Sequence, residues 1–334
     1  MKYKNQTFNK QEVVRTIFDL KQKKAFIEKF GDFDSKKLII SGLQKNVFLT
    51  EKTAILLYKN KTAFGYSKNE IKAYEWFGEN KDLDFLPYLI EKIEDKNISD
   101  FPLQVVHKLE GVSFFSLWHE LNNDDKNSVF EDLGKKLAKI HERYITKPST
   151  LKEIPMDGKF ESSDWIDYIC EKDYFEKAID FAYDKILENF PKMKLAKNIK
   201  EVWKKKLFNF TKLECVLTHC DIHEEQILIK KINGKYKVSG IPDWGFAHIT
   251  SPLQDFYFNE ERLFPSKEIF LPEIKKLRKV MWKSYSKKRN LDISCEDMKL
   301  LFNLYYLIVS KSFLENNHPT WNNFINKTVR EITK

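Results

Sequence analysis

Up to Gly111 the apolar residues of this chain fall mostly in short runs broken by turn residues; beyond it they recur mainly at helical spacing. Val14, Ile17, Phe18, Phe26 and Ile27 stand among charges between Gln11 and Phe30, which predicts one or two amphipathic helices ahead of a sheet. Residues 38–49 read as strand, bend and strand, and 54–59 as the next strand. Ser67, with Glu70 three positions on, marks a capped helix start, and Ile71, Tyr74 and Phe77 share its apolar face. Runs at 86–90 and 103–111 complete an expected sheet of about five strands. Past Gly111, Leu133, Leu137 and Ile140 line one face of a helix over 129–141 that ends in His141, a residue expected to be structural. Further helices are expected over 165–193, 197–210, 268–287, 295–315 and 319–332.

One stretch interrupts the helical half. Leu217-Thr-His219-Cys220-Asp221 is followed by His223, Gln226 and the β-branched run Ile227-Leu-Ile229; Val238-Ser-Gly-Ile-Pro242-Asp243-Trp244-Gly245 repeats the plan. Asn233-Gly234 between them is a two-residue hairpin signal, so the two segments should pair and bring Asp221 and Asp243 near each other. Two carboxylates at strand ends suit a magnesium-dependent phosphoryl transfer: one accepts a hydroxyl proton, the other holds a metal on the phosphates. The cluster Cys215, His219, Cys220 and His223 invites zinc instead, but no Cys-x-x-Cys pair exists and His223-Glu224 lacks the second His that a helical zinc motif needs.

Here the residues resemble a known family. His219-Cys-Asp221, four residues and Gln226 resemble the His-x-Asp-x-x-x-x-Asn catalytic loop of the aminoglycoside phosphotransferase and choline kinase family, and Asp243-Trp-Gly resembles its metal-binding Asp motif. The resemblance runs from about Leu38 to Phe258. It implies an α+β, two-lobed protein-kinase-like fold: leading helices and an antiparallel sheet lobe with a helix in residues 1–110, then a larger, mostly helical catalytic and substrate-binding lobe in 111–334. By the same resemblance Asp221 is the catalytic residue, Asp243 and Gln226 hold Mg²⁺, and His219 and Asp255 support the loop from behind. ATP would meet Gly42 and Asn46 in the bend over its phosphates, Lys59 on a strand paired with Glu70 on a helix, and the hinge at Lys108 to Gly111, including Glu110. Lys61, on the strand face of Lys59, competes for the phosphate role. Gln226 departs from the pattern, having the carboxamide of the family's Asn on a stem one methylene longer.

The activity implied is transfer of the γ-phosphate of ATP to a hydroxyl of a small molecule: an aminoglycoside, an amino alcohol or a sugar-like compound. A kinase fold that binds nucleotide but has lost turnover is the alternative, with Gln226 as its mark. A protein kinase is a third, disfavoured because no Ala-Pro-Glu segment follows Gly245. The formal charge of +9 does not redirect this reading, since lysines are spread over nearly every expected helix and form no basic arm for nucleic acid. Four cysteines without paired spacing, no run long enough to span a bilayer and no signal-like start lead to the expectation of a cytoplasmic protein with free thiols.

Overall fold

In the computed structural model, which describes residues 18–32, 37–39, 45–80, 82–146, 169–257, 271–314 and 319–333, the first helix is α1 (Leu20–Phe30). Asp19 caps it: its carboxylate accepts from the Gln22 backbone N–H, and the Gln22 side chain accepts in return from the Asp19 N–H. Strands β1 (Lys37–Ile39), β2 (Lys45–Leu49) and β3 (Thr53–Tyr58) follow, then α2 (Lys61–Gly78), β4 (Leu89–Ile93) and β5 (Leu103–His107). The five strands make one antiparallel sheet in the order β1-β2-β3-β5-β4. The five-strand expectation is met. The strand expected at 86–90 sits three residues later, because Leu83 to Leu86 close a turn and Pro87 has no N–H to donate to a ladder.

The expected start of α2 at Ser67 is corrected. Asn60 caps the helix, its side-chain oxygen accepting from the Ala63 N–H at 2.9 Å, so Ser67 lies inside it with its hydroxyl donating to the Phe64 carbonyl at 2.6 Å. Glu70 therefore projects from the helix middle and is fully buried.

Alternation along the strands assigns the two faces of the sheet. Phe48, Ile55, Leu57, Leu103 and Val105 join Phe26 of α1 in one core cluster, in which the Phe26 and Phe48 rings stand 5.1 Å apart. Lys45, Tyr58 and Gln104, of opposite parity, point to the other face, where Tyr58 meets Glu70 of α2. The face that α1 covers is mainly apolar, and the other carries the buried polar cluster of Lys45, Tyr58, Gln104 and Glu70.

β6 (Val112–Ser113) leads through a 3₁₀ turn to α3 (Asn123–Arg143), then come β7 (Ile145–Thr146), α4 (Phe175–Asn189), α5 (Ile199–Leu207) and β8 (Cys215–Thr218). β9 (Leu228–Ile232) and β10 (Lys235–Gly240) form a hairpin that pairs with β6; β11 (His248–Thr250) and β7 flank β8. α6 (Gln254–Tyr257), α7 (Leu271–Arg289), α8 (Cys295–Leu314) and α9 (Pro319–Ile332) end the described chain. Leu133, Leu137 and Ile140 are all fully buried on one face of α3, as their spacing predicts. The first part of the helix expected over 165–193 lies outside the described residues.

The chain sorts into two compact units. The first takes the described residues up to Val129 together with Asp221–Ala247; the second takes Phe130–Cys220 with 248–257 and 271–333. The architecture is α+β, an antiparallel sheet unit at the N-terminal side and a larger helical part.

Candidate functional site

In the first unit, the β9–β10 hairpin turns on Asn233 and Gly234, both at positive φ (50° and 79°), which is the two-residue turn that matches strand twist. At the other end of the hairpin the chain enters β9 from Asp221 to Gln226 and leaves β10 through Ile241 to Ala247. There the Gln226 carboxamide donates to Asp243 Oδ2 at 3.1 Å. Asp243 has φ 66°, a left-handed conformation that Asp tolerates better than most residues. The bend is locked by Trp244, fully buried, whose indole N–H donates to the Ile241 carbonyl at 2.8 Å and whose ring meets Phe77 edge-on at 4.7 Å. The Asp-Trp-Gly pattern thus has a physical basis: the Trp fills the core and the Asp is left half-exposed.

The second carboxylate–cation cluster meets the first at Asp243. Lys45 Nζ donates to Glu70 Oε1 and, at 2.8 Å, to Asp243 Oδ1. Tyr58 donates to Glu70 Oε2 and Tyr74 to Oε1, both at 2.6 Å, while Gln104 Nε2 donates to the Tyr58 oxygen. Burial opposes charge on Lys45, but Asp243 and Glu70 outweigh it and raise its pKa, so the ammonium is kept. Burial, and then the charge of Glu70, push both tyrosines well above their ordinary pKa, so they remain donors.

The expected pairing of Lys59 with Glu70 is corrected by this cluster. β3 ends at Tyr58, and Lys59 follows it, exposed and of the parity of Ile55 and Leu57, which face α1. Lys61 opens α2 and is exposed too. Lys45 had no signal of its own in the sequence; only the register of β2 on β3, which sets Lys45 opposite Tyr58, puts it on the face of Glu70. Asn46 is buried opposite Leu57, on the α1 face. Gly42 lies outside the described residues. At the expected hinge, Lys108 Nζ donates to the carbonyls of Thr50 and Glu51 at 3.1 and 3.2 Å, and Glu110 is exposed, its carboxyl pKa lowered by a hydrogen bond from Lys230 at 2.7 Å. The Glu110 carbonyl accepts from Ser239 at 2.6 Å, and Gly111, at φ 110°, passes so close to Ser239 and Ile229 that a β-carbon would overlap both.

In the second unit, Asp255 accepts from the backbone N–H groups of His219 and Cys220, each at 2.9 Å. Cys220 holds φ 61°, a strained conformation for this residue type, and Asp255 satisfies the donors that the bend exposes. His141 Nε2–H donates to Asp255 Oδ2 at 3.0 Å, and the Tyr285 hydroxyl donates to His141 Nδ1 at 2.9 Å. Burial lowers the His141 pKa against the opposing pull of Asp255, so the ring is neutral and passes one hydrogen bond through to the aspartate.

The groups able to share a divalent cation are the Asp243 carboxylate and the Gln226 carboxamide, both hard oxygen donors. Among the described residues no group of three or more His, Cys, Asp or Glu could hold a metal alone. Magnesium bound mainly through phosphates and water needs only one or two protein oxygens, and this pair fits that demand.

Comparison with known proteins bears on the same segments. The model of a family described as the phosphotransferase enzyme family matches residues 43–258. No curated protein matches the chain in sequence. Among solved structures, the GDP complex of aminoglycoside 2'-phosphotransferase-IIIa is 14% identical with a TM-score of 0.52, covering 97% of this chain and 98% of its own. Aminoglycoside phosphotransferase APH(2'')-Ib with ADP bound is 16% identical with a TM-score of 0.50, covering 95% and 97%. The gentamicin complex of APH(2")-IIa is 15% identical with a TM-score of 0.50, covering 94% and 96%.

Proposed function

Since this chain belongs to the phosphotransferase enzyme family and has its kinase-like fold, we propose that it moves the γ-phosphoryl group of ATP to a hydroxyl of a small molecule, an aminoglycoside, amino alcohol or sugar-like compound. The observation that supports this best is the meeting at Asp243: a metal-type carboxylate at the foot of the β9–β10 hairpin, touched by the Gln226 carboxamide and by an ammonium that Glu70 holds.

In this reading Asp221 accepts a hydrogen bond from the acceptor hydroxyl and takes its proton as the oxygen bonds to the γ-phosphorus. The bond from that phosphorus to the bridging oxygen breaks, and the nucleoside diphosphate leaves with the bridging electrons. Asp243 and Gln226 would hold magnesium, which when bound would neutralise charge on the phosphate oxygens. Asp255 keeps the His219–Cys220 turn in its bent form, so Asp221 starts from a fixed backbone. Magnesium and the cytoplasmic setting expected from the sequence remain part of the proposal; no described helix is long and apolar enough to cross a membrane.

A nucleotide-binding protein without turnover is the second reading, and one observation favours it: Gln226 presents its N–H to Asp243, so its oxygen must turn before it can face a metal. Measuring ATP consumption with magnesium across amino alcohols, sugars, nucleosides and aminoglycosides separates the two. Acceptor-dependent ADP release supports transfer. Binding of MgATP with no ADP release from any acceptor class supports the second reading instead.

A further inference from the structure

The phosphate-binding lysine of such enzymes is expected on the strand just before the glutamate-bearing helix, which here is β3. That strand offers no lysine on the right face. Its last residue, Tyr58, is buried against Glu70, and Lys59 falls outside the strand with the opposite parity. Directly across the ladder from Tyr58 stands Lys45 of β2, and the two side chains divide Glu70 between them, Lys45 on Oε1 and Tyr58 on Oε2.

We infer that Lys45, supplied by β2 and oriented by Glu70, Tyr58 and Tyr74, is the residue that contacts the nucleotide phosphates, and that Lys59 and Lys61 take no part. This rests on the reading of the chain as a nucleotide-dependent phosphotransferase. The exposure of the cluster supports it. Glu70, at the inner end, is 1% exposed, whereas Asp243, at the outer end of the same ammonium, is 34% exposed. A purely internal ion pair would close on Glu70 alone; this ammonium instead spans to the half-open carboxylate at which metal and phosphates would meet. Before nucleotide binds, Lys45 serves Asp243 as its counter-charge. Tyr58 and Tyr74 are positioning residues, since their hydroxyls hold the Glu70 carboxylate in place from two sides.

The direct test uses the unaltered protein and an acyl-phosphate derivative of ATP with magnesium, followed by peptide mass spectrometry. A lysine lying on the phosphates attacks the acyl carbon through Nζ; an amide forms, the acyl–phosphate bond breaks, ATP leaves and the ammonium proton goes to solvent. Acylation at Lys45 that excess ATP suppresses is the expected result. Acylation at Lys59 or Lys61, or none at all, overturns the assignment. MgATP titration by calorimetry gives the second arm. Lys45→Met would strand Glu70, so it is paired with Glu70→Gln, which removes the lone buried charge and keeps one carboxamide oxygen to accept from Tyr74. The double variant should bind MgATP about tenfold or more weakly, while Lys59→Met stays within about twofold of the parent, a span too small for a lost charge-assisted contact. The reverse order overturns the assignment. Failure of the parent protein to bind MgATP or MgGTP overturns the phosphotransferase reading itself, whereas tight parental binding with an unaffected double variant overturns only the role of Lys45.

Discussion

In the proposed mechanism Asp221 and Asp243, chemically the same side chain, take different tasks. Asp243 already has a cation and a carboxamide on its two oxygens, the environment of a group that holds charge in place. Asp221 is assigned the proton. Asp221→Asn should lower transfer by roughly 10²–10⁴-fold, the usual contribution of a positioned base, while leaving MgATP affinity near the parental value; steady-state rates and calorimetry on the same preparation check both halves. Asp243→Ala should do the opposite in part: it should weaken binding of MgATP relative to metal-free ATP, read by titration with and without the metal. Equal losses in both titrations would separate Asp243 from the metal.

At the scale of elements, the start of α2 shows where local signals compete. Ser67 and Glu70 have the spacing of a capping box, yet Asn60 takes the cap two turns earlier and makes Glu70 an interior residue. Asn60→Ala should therefore cost about 1 kcal/mol, measurable by urea unfolding, and Ser67→Ala should not show the loss of a helix cap. Several elements were legible because their signal is local. Asn233-Gly234 dictates its own turn, the alternation of β9 and β10 follows from it, and the stripe of Leu133, Leu137 and Ile140 defines α3. The partner of Glu70 was not legible. It depends on how β2 registers against β3, and a shift of one residue moves every side chain to the other face. Lys59 lies next to the right place in sequence and on the wrong side of the sheet. The ring of groups behind the His219–Cys220 turn was half visible: Asp255 matched a pattern, whereas Tyr285, thirty positions further on, had no mark beyond being an aromatic in a helix.

At the scale of the whole molecule, the buried chain from Tyr285 through His141 to Asp255 couples stability to pH. Burial lowers the His141 pKa from its ordinary 6.5. Above that value the ring is neutral in both folded and unfolded chains, and its contribution is complete. As pH falls below it, the unfolded chain takes up a proton that the folded one refuses, so stability drops until the folded pKa is reached. Urea unfolding should show stability falling as pH drops below about 6.5, and His141→Gln should flatten that part of the profile. An unchanged slope in the variant would assign the acid sensitivity to other groups.

The unit that contains Lys45, Glu70 and Asp243 is assembled from stretches of chain separated by most of the other unit, since Asp221–Ala247 returns to it after Phe130–Cys220 has gone elsewhere. On the ribosome, the five-stranded sheet has emerged long before the hairpin that supplies Asp243. For that interval Lys45 has Glu70 without Asp243, and β6 waits without its neighbour β9. A translational pause before residue 243 would leave a nascent protein with its ammonium in place and the Asp243 carboxylate still to be synthesised.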